Sequence, residues 1–332
     1  MNSPTLLNLH AAHPEKEPDK EFIVRAAEAL RAGKLVAFPT ETVYGLGGDA
    51  TNEQAVAAIF AAKGRPSFNP LIVHMADFSQ LSAYVEITPL AENLAAHFMP
   101  GALTLVLPRK KDSALSWLVS AGMDSLAVRI PSHAVARALL REVNRPIAAP
   151  SANRSGSVSA TSPLHVLESL GNKVDLILGA GRSPIGLEST ILDVTGDVPI
   201  ILRQGGITQA EIEVVIGKVK VFTGHSETPT APGQLQSHYA PNARVRLNAT
   251  HADADEALLA FGPEMGIKSG KMKLNLSERG DLHEAAANLF AMLRELDKPE
   301  ITTIAVMQIP ETGLGLAMND RLRRAAAPRD DA

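Results

Sequence analysis

The residues able to do chemistry in this 332-residue chain lie in four short polar stretches. In Lys63-Gly64-Arg65-Pro66-Ser67-Phe68-Asn69-Pro70, two cations flank a glycine, so backbone can approach a ligand closely while a point charge and a bidentate fork reach it. That combination suits a polyphosphate, although the same two cations also fit a solvated helix C-terminus, where Lys and Arg are favoured. Ser151-Ala152-Asn153 sets a hydroxyl and an amide two residues apart. Such groups hold a ribose, a phosphate or an amino acid, or simply make a turn. The other two stretches are residues 39–47 and Gly186-Leu187-Glu188-Ser189-Thr190. Glu188 beside Ser189 suggests acid–base work, but no His or Asp lies near it in sequence and the G-x-S-x-G elbow is absent, so a serine hydrolase is excluded.

Other chemistries are excluded as well. Gly45-Leu46-Gly47-Gly48-Asp49-Ala50 satisfies the G-x-G-x-x-G/A dinucleotide fingerprint between an expected strand and an expected helix. Residues 39–44 intervene, however, and residues 63–70, about 20 positions on, supply no acid for a ribose, which argues against hydride transfer. A G-x-x-x-x-G-K-[ST] loop is also missing, so ATP must be held by something other than a P-loop. With no cysteine, disulfides, a thiol nucleophile and Cys-ligated metals drop out. The ten histidines form no H-E-x-x-H pattern, and no protein metal site is expected.

These stretches need a scaffold. Asp19 caps an expected helix to Arg31, with Phe22, Ile23, Ala26, Ala27 and Leu30 on its apolar face and Gly33 as its stop. Further helices are expected over residues 52–62, 89–98 and 133–143, and a capping box of Thr208 with Glu211 opens another. Short apolar runs at 35–38, 71–75, 103–107, 126–130, 147–149, 176–178, 190–194 and 200–202 read as strands. Three of the polar stretches directly follow such strands, the position where open α/β sheets place ligands. Residues 223–243 then lapse into a segment with prolines at 229, 232 and 241, read as a linker or lid. Beyond it, residues 245–247, 257–261, 281–296, 301–309 and 316–327 suggest a smaller α/β domain. The expected division is therefore a flexible tail (1–18), a larger α/β domain (19–222), the linker (223–243) and a smaller domain (244–332).

Net charge is −4, with a small acidic excess on both sides of residue 243, so neither part carries the basic surplus of a tight nucleic-acid binder. The first 18 residues are proline-rich without an apolar centre, unlike a signal peptide, and no run reaches the ~18 to 20 apolar residues of a membrane span. A cytoplasmic location, without membrane association, is expected.

Taken in order, the motifs resemble the YrdC-like family in its long, two-domain form, the threonylcarbamoyl-AMP synthases. They are Phe38-Pro39-Thr40-Glu41-Thr42-Val43-Tyr44-Gly45-Leu46-Gly47, Lys63-Gly64-Arg65-Pro66 with Asn69-Pro70-Leu71, Pro100-Gly101 with Thr104, and Val128-Arg129-Ile130-Pro131. They continue through Pro150-Ser151-Ala152-Asn153-Arg154-Ser155-Gly156, Gly186-Leu187-Glu188-Ser189-Thr190-Ile191 and Leu202-Arg203-Gln204-Gly205. Pro232-Gly233 with His238-Tyr239-Ala240-Pro241, and Gly313-Leu314-Gly315-Leu316-Ala317 with Asp320-Arg321-Leu322, resemble the long form specifically. The resemblance implies a YrdC-like twisted mixed sheet flanked by helices, plus a smaller Rossmann-like α/β domain. It implies that L-threonine, bicarbonate or CO2 and ATP, the last with Mg2+ held mainly by phosphates and waters, give threonylcarbamoyl-adenylate and pyrophosphate. A downstream threonylcarbamoyl-transferase machinery would use that product to modify tRNA. By motif position, Lys63, Arg65, Ser151 and Asn153 would form the catalytic tetrad. Asn69, Ser125, Ser159, Arg203 and Tyr239 would join it around ATP, and Thr42, His74, Arg129, Ala149 (by its backbone) and Ser189 would hold threonine. Ala231 and Gln234 depart from the family's linker motif, which bears on the lid. An RNA-binding module and a carbamoyl-transfer domain are the alternatives. The acidic balance disfavours the first, and the absence of zinc-finger cysteines and of an acylphosphatase module disfavours the second.

Overall fold

The computed structural model describes residues 4–8, 19–223, 231–232, 238–263 and 270–328. Among them, eleven strands build one mixed sheet: β1 (Thr5–Asn8), β2 (Val36–Phe38), β3 (Gly45–Asp49), β4 (Ile72–His74), β5 (Leu103–Pro108), β6 (Ser125–Arg129), β7 (Ile147–Ala148), β8 (Leu176–Gly179), β9 (Thr190–Asp193), β10 (Ile200–Arg203) and β11 (Lys220–Val221). Their spatial order is β1-β8-β2-β3-β7-β4-β6-β5-β9-β10-β11. Parallel pairs such as β4 with β6 and β5 with β9 alternate with antiparallel ones such as β2 with β3 and β5 with β6.

Side chains alternate across the strands and divide the core into two layers. Val36 and Phe38 face α1 (Lys20–Arg31) and α4 (Ala134–Val143), whereas Leu35, Ala37, Leu46 and Val73 pack on the opposite layer, which holds residues of α2 (Glu53–Lys63), α3 (Pro89–Phe98), α5 (Pro163–Leu170) and α6 (Gln209–Ile216). Local chemistry sets the helix ends. The Asp19 carboxylate caps α1, the Asn52 amide oxygen accepts from Gln54 and Ala55, and Thr208 and Glu211 cap α6 reciprocally. Helix α2 stops at Gly64, whose left-handed conformation (φ 60°) turns the chain back under the sheet with Lys63 inside. A smaller apolar cluster, Ile72, Val106, Ala127, Ile191 and Leu202, packs against Ala231 of the linker.

The second sheet is all parallel in the order β12-β15-β13-β14, from β12 (Arg244–Arg246), β13 (Ala257–Ala260), β14 (Met272–Asn275) and β15 (Thr303–Val306). Helices α7 (Leu282–Leu296) and α8 (Leu314–Ala326) supply Leu289, Phe290, Leu293, Met318 and Leu322 to its core. That core continues into the larger unit through Val43, Val158 and Leu187, and Tyr239 belongs to it.

Three expectations need correction. Residues 5–8, expected in a frayed tail, form β1 in parallel with β8, and Leu7 is buried; ladder hydrogen bonds to an existing strand hold a segment too short to show a periodic pattern. The rest of that expected tail, residues 1–3 and 9–18, lies outside the described residues. Gly45–Asp49, not among the expected strands, is strand β3 between β2 and β7, which explains why its glycines match a dinucleotide fingerprint without forming one. A Cβ on Gly47 would lie 2.9 Å from the Phe38 ring, so close packing accounts for that residue. Helix α5 and strands β11 and β14 are further elements with no counterpart among the expected ones.

Candidate functional site

The larger sheet brings three of the four polar stretches, together with the C-terminal ends of β4 and β6, to one cavity. Thr40 and residues 42–45 after β2, His74 at the end of β4, Arg129 at the end of β6, residues 149–151 after β7 and Glu188-Ser189 before β9 all line it. Arg65 reaches it from the fourth stretch, Arg203 from the end of β10, and Pro232, His238 and Tyr239 from the linker.

One half is built around Arg129. Its guanidinium donates to Glu41 Oε1 at 2.5 Å and its Nε to Gly101 O at 3.1 Å, with both charged side chains buried. Glu41 Oε2 accepts from the Ser132 and His133 amides. Burial works against the Glu41 charge, but Arg129 and these donors hold its carboxyl below the usual range. His74 lies beside this pair with Nδ1 3.3 Å from Ile72 O and its ring edge-on to Phe38. Burial, reinforced by the Arg129 charge, lowers its pKa to about 3 and keeps the imidazole neutral. The Thr42 hydroxyl meets Thr40 at 2.8 Å, and that of Ser189 meets Thr104 at 2.8 Å. Ala149 joins the wall where β7 has ended, its amide bonded to Ile72 O. The structure thus brings together Thr42, His74, Arg129, Ala149 and Ser189.

The other half is cationic. Arg65 donates to Asn69 Oδ1 (2.6 Å), Asn69 O (3.1 Å) and Pro70 O (2.8 Å), and burial with the neighbouring Arg203 charge lowers its pKa to about 9. Arg203 grips Ser189 O and reaches Pro232 O of the linker at 3.3 Å. Lys63, only 3% exposed, stands behind this wall. Its ammonium donates to the carbonyls of Ser151 (2.6 Å) and Asn153, so it fastens the Ser151–Asn153 loop, and burial holds its pKa well below the lysine range. Ser151 lines the cavity, whereas Asn69, Asn153 and Ser159 lie behind it. Asn69 Nδ2, Asn153 Oδ1 and His238 Nδ1 are buried without a hydrogen-bond partner among the described residues, unusual for native interiors. Ser125 is not brought in. It begins β6, four residues before Arg129, and pairs with Pro108.

Tyr239 closes the linker side. It is 1% exposed, stacked on Phe290 at 5.6 Å, with the Arg321 guanidinium carbon 5.1 Å from its ring centre and His238 edge-on at 4.1 Å. Its φ of 61° is rare for a side chain of this size and is held by neighbours on both sides. Ala231 is fully buried, while Gln234 lies outside the described residues.

Glu188 and His238, which line the cavity, and Glu41, which backs Arg129, had no role assigned from sequence. Glu41 stood inside a quoted motif, and only its long-range pairing with Arg129 reveals what it does. Glu188 was set aside for want of an acid–base partner nearby in sequence. Its partners are Ser159 (2.5 Å) and Arg321 (2.9 Å), 29 and 133 positions away.

This fold and site define an α/β protein built to enclose an anionic ligand between buried arginines. Residues 28–205 match the Sua5_yciO_yrdC family model, described as "Telomere recombination", and residues 207–327 match the model "Threonylcarbamoyl-AMP synthase, C-terminal domain". The chain is 43% identical over 324 residues to the threonylcarbamoyl-AMP synthase of Bacillus subtilis, covering 92% of this chain and 93% of that one. It is likewise 43% identical over 331 residues to that of Pyrococcus abyssi, covering 95% and 97%. The crystal structure of P. abyssi Sua5 complexed with L-threonine superposes with a TM-score of 0.87 at 39% identity, over 97% of each chain. Escherichia coli YciO shares the fold of the larger unit, with a TM-score of 0.52 at 24% identity over 61% of this chain and 96% of that one. The chain belongs to the threonylcarbamoyl-AMP synthase family.

Proposed function

We propose that the cavity joins L-threonine, bicarbonate or CO2 and ATP into threonylcarbamoyl-adenylate, releasing pyrophosphate. The observation that carries this reading is the convergence of Arg65, Arg129 and Arg203 with Thr42, His74 and Ser189 on one cavity. The threonine complex of the P. abyssi relative supports threonine as the amino acid.

Threonine lies on the Arg129 side. Arg129 has Nε committed to Gly101 and one N–H to Glu41, and its remaining N–H groups face the amino-acid carboxylate. Thr42 and Ser189 offer hydroxyls to the amino acid, and Ala149 offers backbone. His74, kept neutral, adds no positive charge beside an amine that must itself be neutral to take up CO2. The amine nitrogen bonds to CO2 and loses a proton, giving a carbamate. A carbamate oxygen then bonds to the α-phosphorus while the bond from that phosphorus to the bridging oxygen breaks and pyrophosphate leaves. Two anions meet in this step, so Arg65 and Arg203 act by offsetting charge that builds at the phosphates. Lys63 acts chiefly by holding the Ser151–Asn153 loop, with Asn69 and Ser159 supporting Arg65 and Glu188 from behind. Tyr239 keeps water from the carbamate and the mixed anhydride. Ser125 is the ATP-side assignment with least support, since it lies off the cavity.

Among the described residues no group of three or more His, Asp or Glu stands where a cation could be held, and Glu41 and Glu188 are each paired with an arginine. In this reading Mg2+ comes with the nucleotide substrate, bound by phosphates and waters, and no step here is routed through it. The product feeds a tRNA-modifying transferase machinery in the cytoplasm. The purified protein should release pyrophosphate from ATP only when threonine and bicarbonate are both present, and much less when serine replaces threonine. ATP and threonine binding without pyrophosphate release would refute the reading.

A further inference from the structure

The smaller domain places one arginine inside the wall of this cavity. Arg321, on α8, is 1% exposed, and its Nε donates to Glu188 Oε2 at 2.9 Å. Its other nitrogens donate to Gln204 O and Asp320 Oδ2, each at 2.7 Å. Glu188 Oε1 accepts from Ser159, whose carbonyl accepts in turn from Arg294 of α7 at 3.3 Å. The Glu188 segment has no slack. A Cβ on Gly186 would lie 2.5 Å from Ala286 O of α7, and one on Gly205 would lie 2.3 Å from Glu188 O. The buried carboxylate of Glu188 therefore stands in the wall of a cavity that must accept a polyanion, next to Arg203 and close to Lys63.

We propose that Arg321 is a positioning residue for ATP, through which the smaller domain neutralises Glu188 and holds it against Ser159 so that Arg203 and Arg65 remain available to the triphosphate. The inference rests on the ATP-using function proposed above. Without Arg321, Glu188 has two courses, and the ionised one weakens ATP binding by far the more. Ionised, it repels the phosphates and turns to Arg203. Protonated, it loses its grip on Ser159. The charged and titratable groups facing it are Arg321 from α8, Arg203 from β10, Lys63 from α2 and Tyr239 from the linker, with Asp320 and His238 beyond them against Arg321. Burial opposes its charge, and Arg321 and Arg203 hold its carboxyl below the usual range. Losing Arg321 moves that titration upward.

The test measures ATP affinity by calorimetry and KM for ATP and threonine separately, in full-length wild type, Arg321→Met, Glu188→Gln and the double variant. Arg321→Met should weaken ATP roughly tenfold or more, the loss expected from one charged hydrogen bond, with a smaller change in KM for threonine. Its ATP affinity should recover as pH falls from 8 to 6, while wild type stays flat. With Glu188 neutral, adding Arg321→Met should change ATP affinity less than threefold, and this comparison decides the matter even if Arg321→Met alone does not fold. A further tenfold loss in the double variant relative to Glu188→Gln, or pH-independent wild-type ATP affinity in Arg321→Met, would overturn the proposal. The wild-type pyrophosphate assay tests the proposed function separately, because the affinity ratios can be read whether or not turnover occurs.

Discussion

Replacing Glu41 by glutamine isolates the arrangement that anchors Arg129. The carboxylate accepts at both ends: Oε1 from the Arg129 guanidinium and Oε2 from the Ser132 and His133 amides at 3.0 and 3.3 Å. Glutamine has one acceptor, so its NH2 must face either the guanidinium or the two amides, a donor against donors in both orientations. A lost hydrogen bond to a charged group costs about 1.5–3 kcal/mol, and breaking a buried pair about 3–5 kcal/mol, so a loss of about 3 kcal/mol is expected. At ~2 °C per kcal/mol for a chain this long, melting should fall by roughly 6 °C in scanning calorimetry. KM for threonine should rise more than KM for ATP, because Arg129 loses the group that fixes its plane. The pH dependence has a definite sign. The folded pKa of Glu41 lies below its ordinary 4.5, so its stabilisation is complete above that pH and is lost as pH falls through the folded value. The variant should therefore lose less stability on acidification than wild type. A Glu41→Gln protein within about 1 kcal/mol of wild type, with unchanged KM for threonine, would refute the reasoning.

Three other outcomes follow from the same contacts. Tyr239→Ala removes the ring between Phe290 and Arg321, and product hydrolysis should rise more than ATP affinity falls; an unchanged product lifetime, followed by chromatography, would speak against the closing role. Lys63→Met keeps an apolar stem but leaves the Ser151 and Asn153 carbonyls without their donor, so kcat should drop by about a hundredfold or more with the fold retained by circular dichroism, and near-normal turnover would contradict it. Gly186→Ala drives a methyl into the Ala286 and Ala287 backbone of α7 from a left-handed residue (φ 72°), and should destabilise the protein by roughly 1–3 kcal/mol or more in denaturant unfolding, whereas Gly122→Ala, with open space around it, should show only the smaller cost of its own positive φ.

What was legible in the sequence was local. Asp19, Asn52 and the Thr208–Glu211 pair announce their helices through capping chemistry, and runs such as 103–107 and 126–130 announce buried strands. Arg65, Arg129 and Arg203 could be named because each sits in a motif at the end of an element. The relations between distant residues were not legible. Nothing near Lys63 says that its ammonium turns to carbonyls 88 and 90 positions away rather than into the cavity, and nothing near Glu41 points to Arg129. Strand β3 was hidden because close packing on Phe38 and Ile147 calls for glycines that also read as a turn. Arg321 stood in a motif of the long form but without a role, since the partner that explains its burial belongs to the other domain.

The most direct measurement is mass spectrometry of the reaction mixture with ¹³C-bicarbonate, ATP and L-threonine. The account expects an adenylate carrying one labelled carbon and the threonine skeleton, formed together with pyrophosphate, in wild type and not in Arg65→Ala. Pyrophosphate or AMP appearing without that labelled adduct, or the adduct forming equally well in Arg65→Ala, would contradict it.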